Sequence, residues 1–237
     1  MKTLFDLTLA IIIFIIFFIP IILLSIIIFL QDFKNPYYVS TRIGKNSKKF
    51  KMFKFRSMVT GADKNNVFST SDGDTRVTLI GSFIRKYKLD EIPQIFNVLA
   101  GQLSLVGPRP NVEFEVNKYS ESEKKLLDVK PGITDFASII FSDEGEILKD
   151  SKDPNNDYEI LIRPFKSMLG LKYIEYQSLF LDLKIIVVTL LSLFNKKFSY
   201  NFIYNFFLEK GYDPMSLEFI LRKKSMKNYD CNRIFLK

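Results

Sequence analysis

The sequence predicts a mostly α-helical protein with one small β-hairpin, an α+β arrangement attached to a membrane by its first helix. Three observations predict this fold class. Residues 7–30 contain no charge, residues 36–58 hold two extended stretches around a polar turn, and later apolar residues recur at helical spacing. A chain of 237 residues, 47% of them hydrophobic, can bury a sizeable core, which excludes a disordered chain.

The composition restricts the chemistry that the chain can perform. It contains no histidine, which excludes Ser-His-Asp and Cys-His nucleophiles and every histidine-containing zinc site. Its one cysteine, Cys231, cannot form an internal disulfide, which indicates a reducing compartment. Carboxylates, lysines, arginines and hydroxyls must therefore carry any reaction.

The amino-terminal apolar run is a membrane segment. Leu7 to Leu30 gives 24 uncharged residues, enough for a helix to cross a hydrocarbon core of about 30 Å. A signal peptide is disfavoured because the run is long and no cleavage pattern follows it. Pro20 predicts a kink, which permits a helix that enters the membrane and returns. Composition alone favours a single spanning helix, since membrane helices tolerate proline.

A basic neck follows the membrane segment. Residues 32–56 hold eight Lys or Arg against one acidic residue, Asp32. Such a flank marks the cytoplasmic side and attracts anionic lipid headgroups or a negatively charged substrate. A solvated flank is the simpler interpretation for most of these residues. Nucleic acid is disfavoured as a partner, because no nucleic-acid-binding motif accompanies the charge.

The pattern predicts several elements beyond the neck. Residues 60–75 are expected to be a loop, and two short helices follow with a break at Leu89-Asp90-Glu91-Ile92-Pro93. Because Pro93 suits the first turn of a helix, Asp90 is predicted to be the N-cap of the second one. Ser120 and Glu123 predict a capping box.

Two apolar stretches near the carboxyl end stay ambiguous. Residues 178–194 predict either a core helix or an interfacial amphipathic helix. Six aromatic residues between Phe198 and Phe207, partly in period two, predict either a strand or a membrane-surface anchor.

One group of charged residues points to chemistry. Arg85 precedes Asp90 and Glu91, and Arg109 follows between two prolines that stiffen the backbone around its guanidinium. A helix start with arginines forms an anion site. An ionised Asp90 in such a site, its pKa kept low by the positive surroundings, suits a reaction at a phosphoryl group. Taken singly, Asp90 is more often only a helix cap, and Glu91 only a complement to the helix dipole.

Several motifs, in order and densely spaced, resemble those of the bacterial sugar transferases, the monotopic phosphoglycosyl transferases of glycan biosynthesis. The likeness covers residues 2–194. The residues that carry it are Lys54-Phe55-Arg56-Ser57-Met58, Arg76-x-Thr78-x-x-Gly81-x-x-x-Arg85-x-x-x-Leu89-Asp90-Glu91-Ile92-Pro93-Gln94-x-x-Asn97-Val98-Leu99, Gly101, Ser104-Leu105-Val106-Gly107-Pro108-Arg109-Pro110, Lys130-Pro131-Gly132-Ile133-Thr134 and Ser178-Leu179-Phe180-Leu181-Asp182.

The resemblance implies transfer of a sugar-1-phosphate from a UDP-sugar to a polyprenyl (undecaprenyl) phosphate with Mg²⁺, releasing UMP. By position, Asp90 is the nucleophile that forms a covalent phosphosugar intermediate, and Asp90 with Glu91 holds the metal. Lys54, Arg85 and Arg109 are expected to bind substrate phosphates. The product would initiate a surface glycan such as capsule, the O-antigen of lipopolysaccharide or a glycoprotein glycan, with downstream glycosyltransferases as further partners.

The resemblance also implies the topology and the domain organisation. The family holds its first helix as a re-entrant, proline-kinked hairpin, which makes the protein monotopic, with its catalytic part on the cytoplasmic face of the bacterial inner membrane. Residues 1–31 are thus expected to form the membrane helix, residues 32–194 the catalytic domain with interfacial amphipathic helices, and residues 195–237 an aromatic and basic extension of unknown role.

The chain departs from the family pattern at three places. It has Ile19-Pro20 where a Ser-Pro pair breaks the helix in the family, and Gln102 where an acidic residue is common. It has Asp135-Phe136-Ala137-Ser138 in a loop that is expected to shape the nucleotide or sugar pocket. The identity of the sugar therefore cannot be inferred from better-known members of the family.

Two other functions stay open at this stage. A membrane-tethered adaptor without catalysis would use only the basic face. An ordinary glycosyltransferase would release UDP instead of UMP.

Overall fold

The computed structural model describes residues 1–62, 74–222, 225–230 and 234–235. The chain forms two compact units. Unit 1 comprises Met1–Asn66 and Gly73–Ile133, and unit 2 comprises Val67–Asp72 and Thr134–Lys237. Most of the loop predicted at residues 60–75 lies outside the described residues.

Unit 1 contains the membrane helix, the hairpin and the short helices of the predicted catalytic region. In chain order its elements are α1 (Lys2–Asp32), β1 (Tyr37–Ile43), β2 (Lys49–Phe55), α2 (Leu79–Lys86), α3 (Gln94–Leu99), β3 (Ser104–Val106), α4 (Glu113–Val116) and β4 (Gly132–Thr134), whose last residue belongs to unit 2, with 3₁₀ turns at Lys45–Ser47, Leu89–Glu91 and Glu123–Leu127. Strand β3 pairs with β4 in a second two-stranded sheet.

The predicted hairpin is confirmed. Strands β1 and β2 pair antiparallel, with Tyr37 opposite Phe55 and Ile43 opposite Lys49. The polar turn between them closes through a hydrogen bond from the Gly44 amide to the Lys48 carbonyl (2.8 Å). Alternating side chains and a turn of small polar residues were therefore sufficient to locate this element.

Helix α1 contains the whole apolar run and continues through Pro20. It is long and apolar enough to cross a membrane, and only 11% of its most apolar 18-residue window is buried. Large apolar side chains that protrude from a helix on most sides suit a lipid environment. This agrees with the predicted membrane segment.

Residues near both ends of α1 form hydrogen bonds with other parts of unit 1. Near its start, the buried carboxylate of Asp6 accepts hydrogen bonds from the Ser104 hydroxyl (2.8 Å) and the Leu105 amide (3.2 Å). At its end, Asp32 accepts a hydrogen bond from Nη2 of Arg56 (2.6 Å), and the side chain of Arg56 is 9% exposed. Residues near the two ends of the apolar helix thus both contact the part of unit 1 that follows the helix in the sequence.

The break between the two predicted helices is present, but Asp90 does not cap the second. Lys88 adopts a left-handed conformation (φ 55°), and Leu89–Glu91 then form a separate 3₁₀ turn. Pro93 occupies the N-cap position of α3 without a side-chain cap. The N-cap prediction was wrong because a 3₁₀ turn is inserted between the helices, which places Asp90 within the turn.

Two glycines, Gly107 after β3 and Gly132 at the start of β4, allow the backbones of these paired segments to approach closely. We call this close approach the glycine crossing. A Cβ atom on Gly107 would lie 2.6 Å from the Lys130 carbonyl oxygen, and one on Gly132 would lie 2.1 Å from the Gly107 nitrogen. Backbone atoms at such distances cannot move aside cheaply, so only glycine fits. The crossing fixes the start of the Gly107-Pro108-Arg109-Pro110 segment.

Beyond Thr134, the secondary structure described for unit 2 is helical. Its elements are α5 (Phe136–Ile140), α6 (Glu144–Ile147), α7 (Pro154–Leu161), α8 (Arg163–Tyr176), α9 (Leu179–Ser192) and α10 (Lys196–Glu209), followed by 3₁₀ turns at Met215–Leu221 and Met226–Asn228. Helix α9 buries one face and exposes the other. Its buried residues are Leu181, Asp182, Ile185, Val188 and Ser192, and its exposed large apolar residues are Phe180, Leu183, Val187, Leu190 and Leu191. The buried face agrees with the core-helix alternative for residues 178–194. The exposed apolar face is compatible with the interfacial alternative, which stays a prediction.

The aromatic stretch of residues 198–207 is helical, so the strand alternative was wrong. The aromatic letters alternate, but the buried positions Tyr200, Ile203 and Phe207 follow helical spacing. Phe207 packs against Phe136 of α5, with ring centroids 5.2 Å apart. The predicted division at residue 194 stays a prediction, but α10 belongs to the core of unit 2.

We expect Phe207→Ala to destabilise unit 2 strongly. Phe207 is fully buried, and removing such a ring leaves a cavity that costs about 3–5 kcal/mol of unfolding free energy. Urea unfolding of the full chain in detergent, followed by circular dichroism, measures this loss.

Phe198→Ala is the matched control on the same helix, because Phe198 is 48% exposed and should change stability by about 0.5 kcal/mol. Equal, small losses in both variants would contradict a structural role for α10.

Candidate active site

The 3₁₀ turn Leu89–Glu91 presents two adjacent carboxylates, and Glu91 is the centre of an ion cluster. Lys54 of β2 donates to its Oε1 (2.9 Å). Arg109 donates through Nη1 to Oε2 (3.2 Å) and through Nη2 to Oε1. The three side chains are only 18% to 32% exposed, so their attraction is less screened than that of a surface pair.

Lys54 is held in position by a buried amide. Asn97 of α3 is fully buried, and its Oδ1 accepts a hydrogen bond from the Phe53 amide (3.1 Å). Its Nδ2 donates to the Lys51 carbonyl (2.7 Å). Asn97 therefore satisfies the backbone of β2 on both sides of Met52 and fixes this strand against α3.

Arg109 is held in position by its backbone and by one carbonyl. Proline precedes and follows it, and its Nη1 also donates to the Ile133 carbonyl (3.1 Å). Ile133 directly follows Gly132, so the glycine crossing sets the distance between this carbonyl and the arginine. The planar fork that the sequence predicted for a phosphate is occupied by the carboxylate of Glu91 in this structure.

Asp90 differs from its neighbour. Among the described residues its carboxylate has no hydrogen-bond or ion-pair partner, and the guanidinium of Arg85 on α2 has no hydrogen-bond partner either. The charges of Lys54, Arg85 and Arg109 nevertheless act on Asp90. The site thus holds one engaged carboxylate and one available carboxylate.

The two carboxylates have pKa values shifted in opposite directions. Burial acts against ionisation of Glu91, but the charges of Arg109 and Lys54 hold the pKa of Glu91 well below its ordinary value. Burial and the charge of Glu91 raise the pKa of Asp90, against the opposing charges of Lys54, Arg85 and Arg109. The prediction that positive surroundings keep the pKa of Asp90 low was therefore wrong, because Glu91 takes the direct contacts.

The donor set suits a magnesium ion that also binds substrate phosphates. A carboxylate has about four lone-pair positions. Three of those on Glu91 accept from Lys54 and Arg109, which leaves one position, and Asp90 has its oxygens available. The described residues contain no group of three or more acidic, histidine or cysteine side chains that could hold a metal alone. Mg²⁺ typically uses one or two carboxylates with phosphate and water oxygens, so these residues fit.

Sequence reasoning missed two contributors to the site. The charge of Lys88 acts on Glu91, and its left-handed conformation starts the 3₁₀ turn. Lysine has no preference for that conformation, so no sequence signal indicated it. Asn97 lay within a recognised motif, but its role as a brace for β2 depends on contacts 44 and 46 residues away in the chain.

Two departures from the family pattern have structural roles. Gln102 accepts a hydrogen bond from Asn97 (2.7 Å) and so joins the brace of β2. Asp135 caps α5 by accepting from the Ser138 amide (2.7 Å), and Phe136 lies in the core of unit 2.

Comparison with known proteins gives a consistent result. A family model described as bacterial sugar transferase matches residues 1–196. The uncharacterized sugar transferase EpsL of Bacillus subtilis is 34% identical, and the match covers 80% of this chain and 85% of EpsL.

Two further relatives are longer proteins. The UDP-glucose:undecaprenyl-phosphate glucose-1-phosphate transferase of Klebsiella pneumoniae is 37% identical over 67% of this chain and 32% of its own length. The galactosyl transferase CpsE of Streptococcus agalactiae is 34% identical over 65% of this chain and 33% of its own length. The chain thus spans about a third of the length of these two relatives. The match over residues 1–196, which includes every residue of the ion cluster, shows that the chain belongs to the bacterial sugar transferase family.

Proposed function

We propose that the protein transfers a sugar-1-phosphate from a UDP-sugar to a polyprenyl (undecaprenyl) phosphate and releases UMP. One observation carries the proposal: Asp90 is an available carboxylate beside Glu91, which Lys54 and Arg109 hold, in a field of positive charge. The names of two relatives agree in this reaction class, since one is an undecaprenyl-phosphate glucose-1-phosphate transferase and another an undecaprenyl-phosphate N-acetylgalactosaminephosphotransferase.

The proposed reaction has two displacements at one phosphorus atom. An oxygen of Asp90 attacks the phosphorus that bears the sugar, the bond from that phosphorus to the bridging oxygen breaks, and UMP leaves with the bridging oxygen. An oxygen of the polyprenyl phosphate then attacks the same phosphorus and displaces Asp90. The products are UMP and a polyprenyl diphosphate sugar, and the carboxylate is regenerated.

The remaining residues position and neutralise charge. Arg85 has no hydrogen-bond partner among the described residues, so it is the cation most ready to bind a phosphate oxygen. Arg109 and Lys54 fix Glu91, and they lie close enough to Asp90 for their charges to stabilise the phosphoryl group that it attacks. Their predicted contact with substrate phosphates requires them to share or release Glu91.

Asp90 and Glu91 are also the residues that would hold Mg²⁺. When bound, the ion would supply charge neutralisation for the donor diphosphate. The lone-pair position left on Glu91 and the available oxygens of Asp90 support this assignment.

We further propose that α1 re-enters the membrane, so that both of its ends lie on the cytoplasmic side of the inner membrane. The support is that Asp6 and Asp32, near opposite ends of α1, are both fastened to unit 1. A helix of 31 residues spans about 46 Å, and a straight spanning helix would carry these ends to opposite sides of the bilayer. The protein would then be monotopic. Helix α9, one face of which is exposed and apolar, would be an interfacial helix.

The sugar and the glycan stay outside the proposal. The names of the relatives above mention glucose, galactose or N-acetylgalactosamine, so they do not point to one sugar. For this chain, the proposed reaction would be the initiating step of a surface glycan such as capsule, O-antigen or a glycoprotein glycan. An adaptor or a transferase that releases UDP remains an outcome of the first test below.

We expect Asp90→Asn to abolish release of UMP. Loss of a covalent nucleophile lowers the rate by at least about 10⁴-fold. The measurement is nucleotide release from a panel of UDP-sugars by the full chain in membranes with undecaprenyl phosphate and Mg²⁺, with and without EDTA.

The control is Asp128→Asn, an exposed aspartate of unit 1 outside the ion cluster. Release of UDP by the wild type would establish an ordinary glycosyltransferase, and full turnover by Asp90→Asn would exclude the covalent mechanism. No nucleotide from any donor would favour the adaptor.

We expect Glu91→Gln to lower the pKa of Asp90. The substitution removes the neighbouring negative charge and frees Arg109 and Lys54 to contact Asp90, and both effects favour the ionised form. In the wild type the raised pKa protonates Asp90 at a higher pH than an ordinary aspartate, so its nucleophilic form is lost early on acidification.

Titration of ¹³C-labelled aspartate carboxyls by NMR, with assignment by Asp90→Asn, measures this shift. A pKa of Asp90 that rises in Glu91→Gln would contradict the described division of charge between the two carboxylates.

We expect the amino terminus to be inaccessible from outside the cell. Replacing the lone cysteine by Cys231→Ser gives a background for Thr3→Cys at the start of α1 and for Ser122→Cys in unit 1. In intact spheroplasts a membrane-impermeant maleimide should label neither variant, and after lysis it should label both. Labelling of Thr3→Cys alone before lysis would establish a spanning helix.

A further inference from the structure

A second basic site lies in unit 1, away from the carboxylate pair. An open cavity of about 370 Å³ is lined by the hairpin turn, by Gly101 and Gln102 after α3, and by Lys130 before β4. On β2, Lys54 lies five residues beyond Lys49, which lines this cavity, and this separation is about 17 Å along an extended strand. The cavity is therefore separate from the Asp90 site.

The lining carries positive charge without a matching carboxylate. Lys45, Lys48, Lys49 and Lys130 all line the cavity, and its lining includes no acidic residue. Lys49 is paired with Glu113 outside the lining (2.7 Å). Within the part of the chain that the structure describes, the ammonium groups of the other three lysines have no hydrogen-bond or ion-pair partner.

The segment after α3 supplies a further donor to the lining. Gln102 uses its Oε1 to accept from Asn97, so its Nε2 is left to donate, and no described residue accepts from it. Gly101 (φ 72°) has the left-handed backbone conformation that favours glycine, and a Cβ there would make only an ordinary contact with Lys130 Nζ (3.8 Å). A glutamate in place of Gln102 would instead bring a negative charge to these lysines.

The cavity also lies near the start of the membrane helix. Gln102 is two residues before Ser104, whose hydroxyl binds Asp6, and the apolar run begins at the next residue, Leu7. If residues 7–30 lie in the bilayer, this point of attachment lies at the level of the lipid headgroups. Lysines at that level attract anionic lipids.

We propose that this cavity binds the phosphate headgroup of an anionic lipid through Lys45, Lys48, Lys130 and the amide nitrogen of Gln102. The ligand chemistry is a phosphate-bearing anion, and the headgroup level favours lipid over soluble phosphate as its source. The proposal rests on the membrane attachment of α1 and is independent of the transferase reaction.

Calorimetric titration of the full chain in a neutral detergent tests the site. The probes are dihexanoyl phosphatidylglycerol, inorganic phosphate and dihexanoyl phosphatidylcholine, which partitions into micelles similarly but carries no net charge. We expect saturable binding of phosphatidylglycerol that exceeds the binding of the other two probes.

Variants locate the binding. Lys45→Gln with Lys130→Gln, and separately Gln102→Glu, should each weaken binding of phosphatidylglycerol at least about tenfold, as loss of hydrogen bonds to a charged group implies. The matched control is Lys51→Gln with Lys86→Gln, which removes the same charge from exposed positions outside the cavity and should change the affinity less than twofold. Circular dichroism of each variant establishes that it is folded.

Three results would overturn the proposal. Equal binding of phosphatidylcholine would mean that headgroup charge is not recognised, and equal losses in the cavity and control variants would mean that only net charge matters. Inorganic phosphate that binds as tightly as phosphatidylglycerol would assign the cavity to a soluble anion. The readout is binding, so none of these results bears on UMP release, which tests the transferase function separately.

Discussion

The arrangement of the site depends on the attraction between Glu91 and the two cations that hold it. Lys54 comes from the hairpin and Arg109 from the segment after β3, so one carboxylate joins three parts of the chain. All three side chains are partly buried, and removing one partner would leave the others without compensation in a poorly solvated place. Asn97, which braces β2, and the close approach of Gly107 and Gly132 help to set the positions of Lys54 and Arg109, respectively.

This attraction also explains why two adjacent acidic residues behave differently. The cations satisfy Glu91, whose pKa falls, and the charge of Glu91 then acts against ionisation of Asp90, whose pKa rises. Pairs of carboxylates whose environments separate their pKa values commonly divide the chemical roles. In the proposed reaction Glu91 is the fixed structural member, and Asp90 is the member free to form and break a bond.

Local sequence patterns correctly predicted elements that depend on neighbouring residues, such as the hairpin. They failed for elements whose conformation depends on contacts with residues far away in the chain. The alternation around Gly44–Ser47 located the hairpin, and Ser120 with Glu123 gave a capping box that the structure contains. Pro93 suggested an N-cap at Asp90, but the left-handed Lys88 starts a separate turn that no residue type announces. The aromatic run of α10 alternates in the sequence, whereas burial against α5 selects positions at helical spacing.

The sequence predicted which residues form the site, but it did not predict which of them contact one another. The motif identified Lys54, Arg85, Asp90, Glu91 and Arg109 as a group. It did not indicate that Arg109 and Lys54 engage Glu91, since that choice depends on a crossing of backbones at Gly107 and Gly132.

The end of β2 connects the site to the membrane helix. Lys54 contacts Glu91, and Arg56, two residues later, contacts Asp32 at the end of α1. These two neighbouring cations thus have different partners, and Arg56 lies just beyond the end of the strand. Two residues of extended chain span about 7 Å, so the residue that holds Glu91 and the residue that holds the membrane helix are kept close together. In the proposed reaction, a lipid phosphate whose chain stays in the bilayer must reach Asp90, which requires the site to lie near the headgroups. The short connection from Asp32 through Arg56 to Lys54 would meet that requirement, because it ties the proposed active site to the end of the apolar helix.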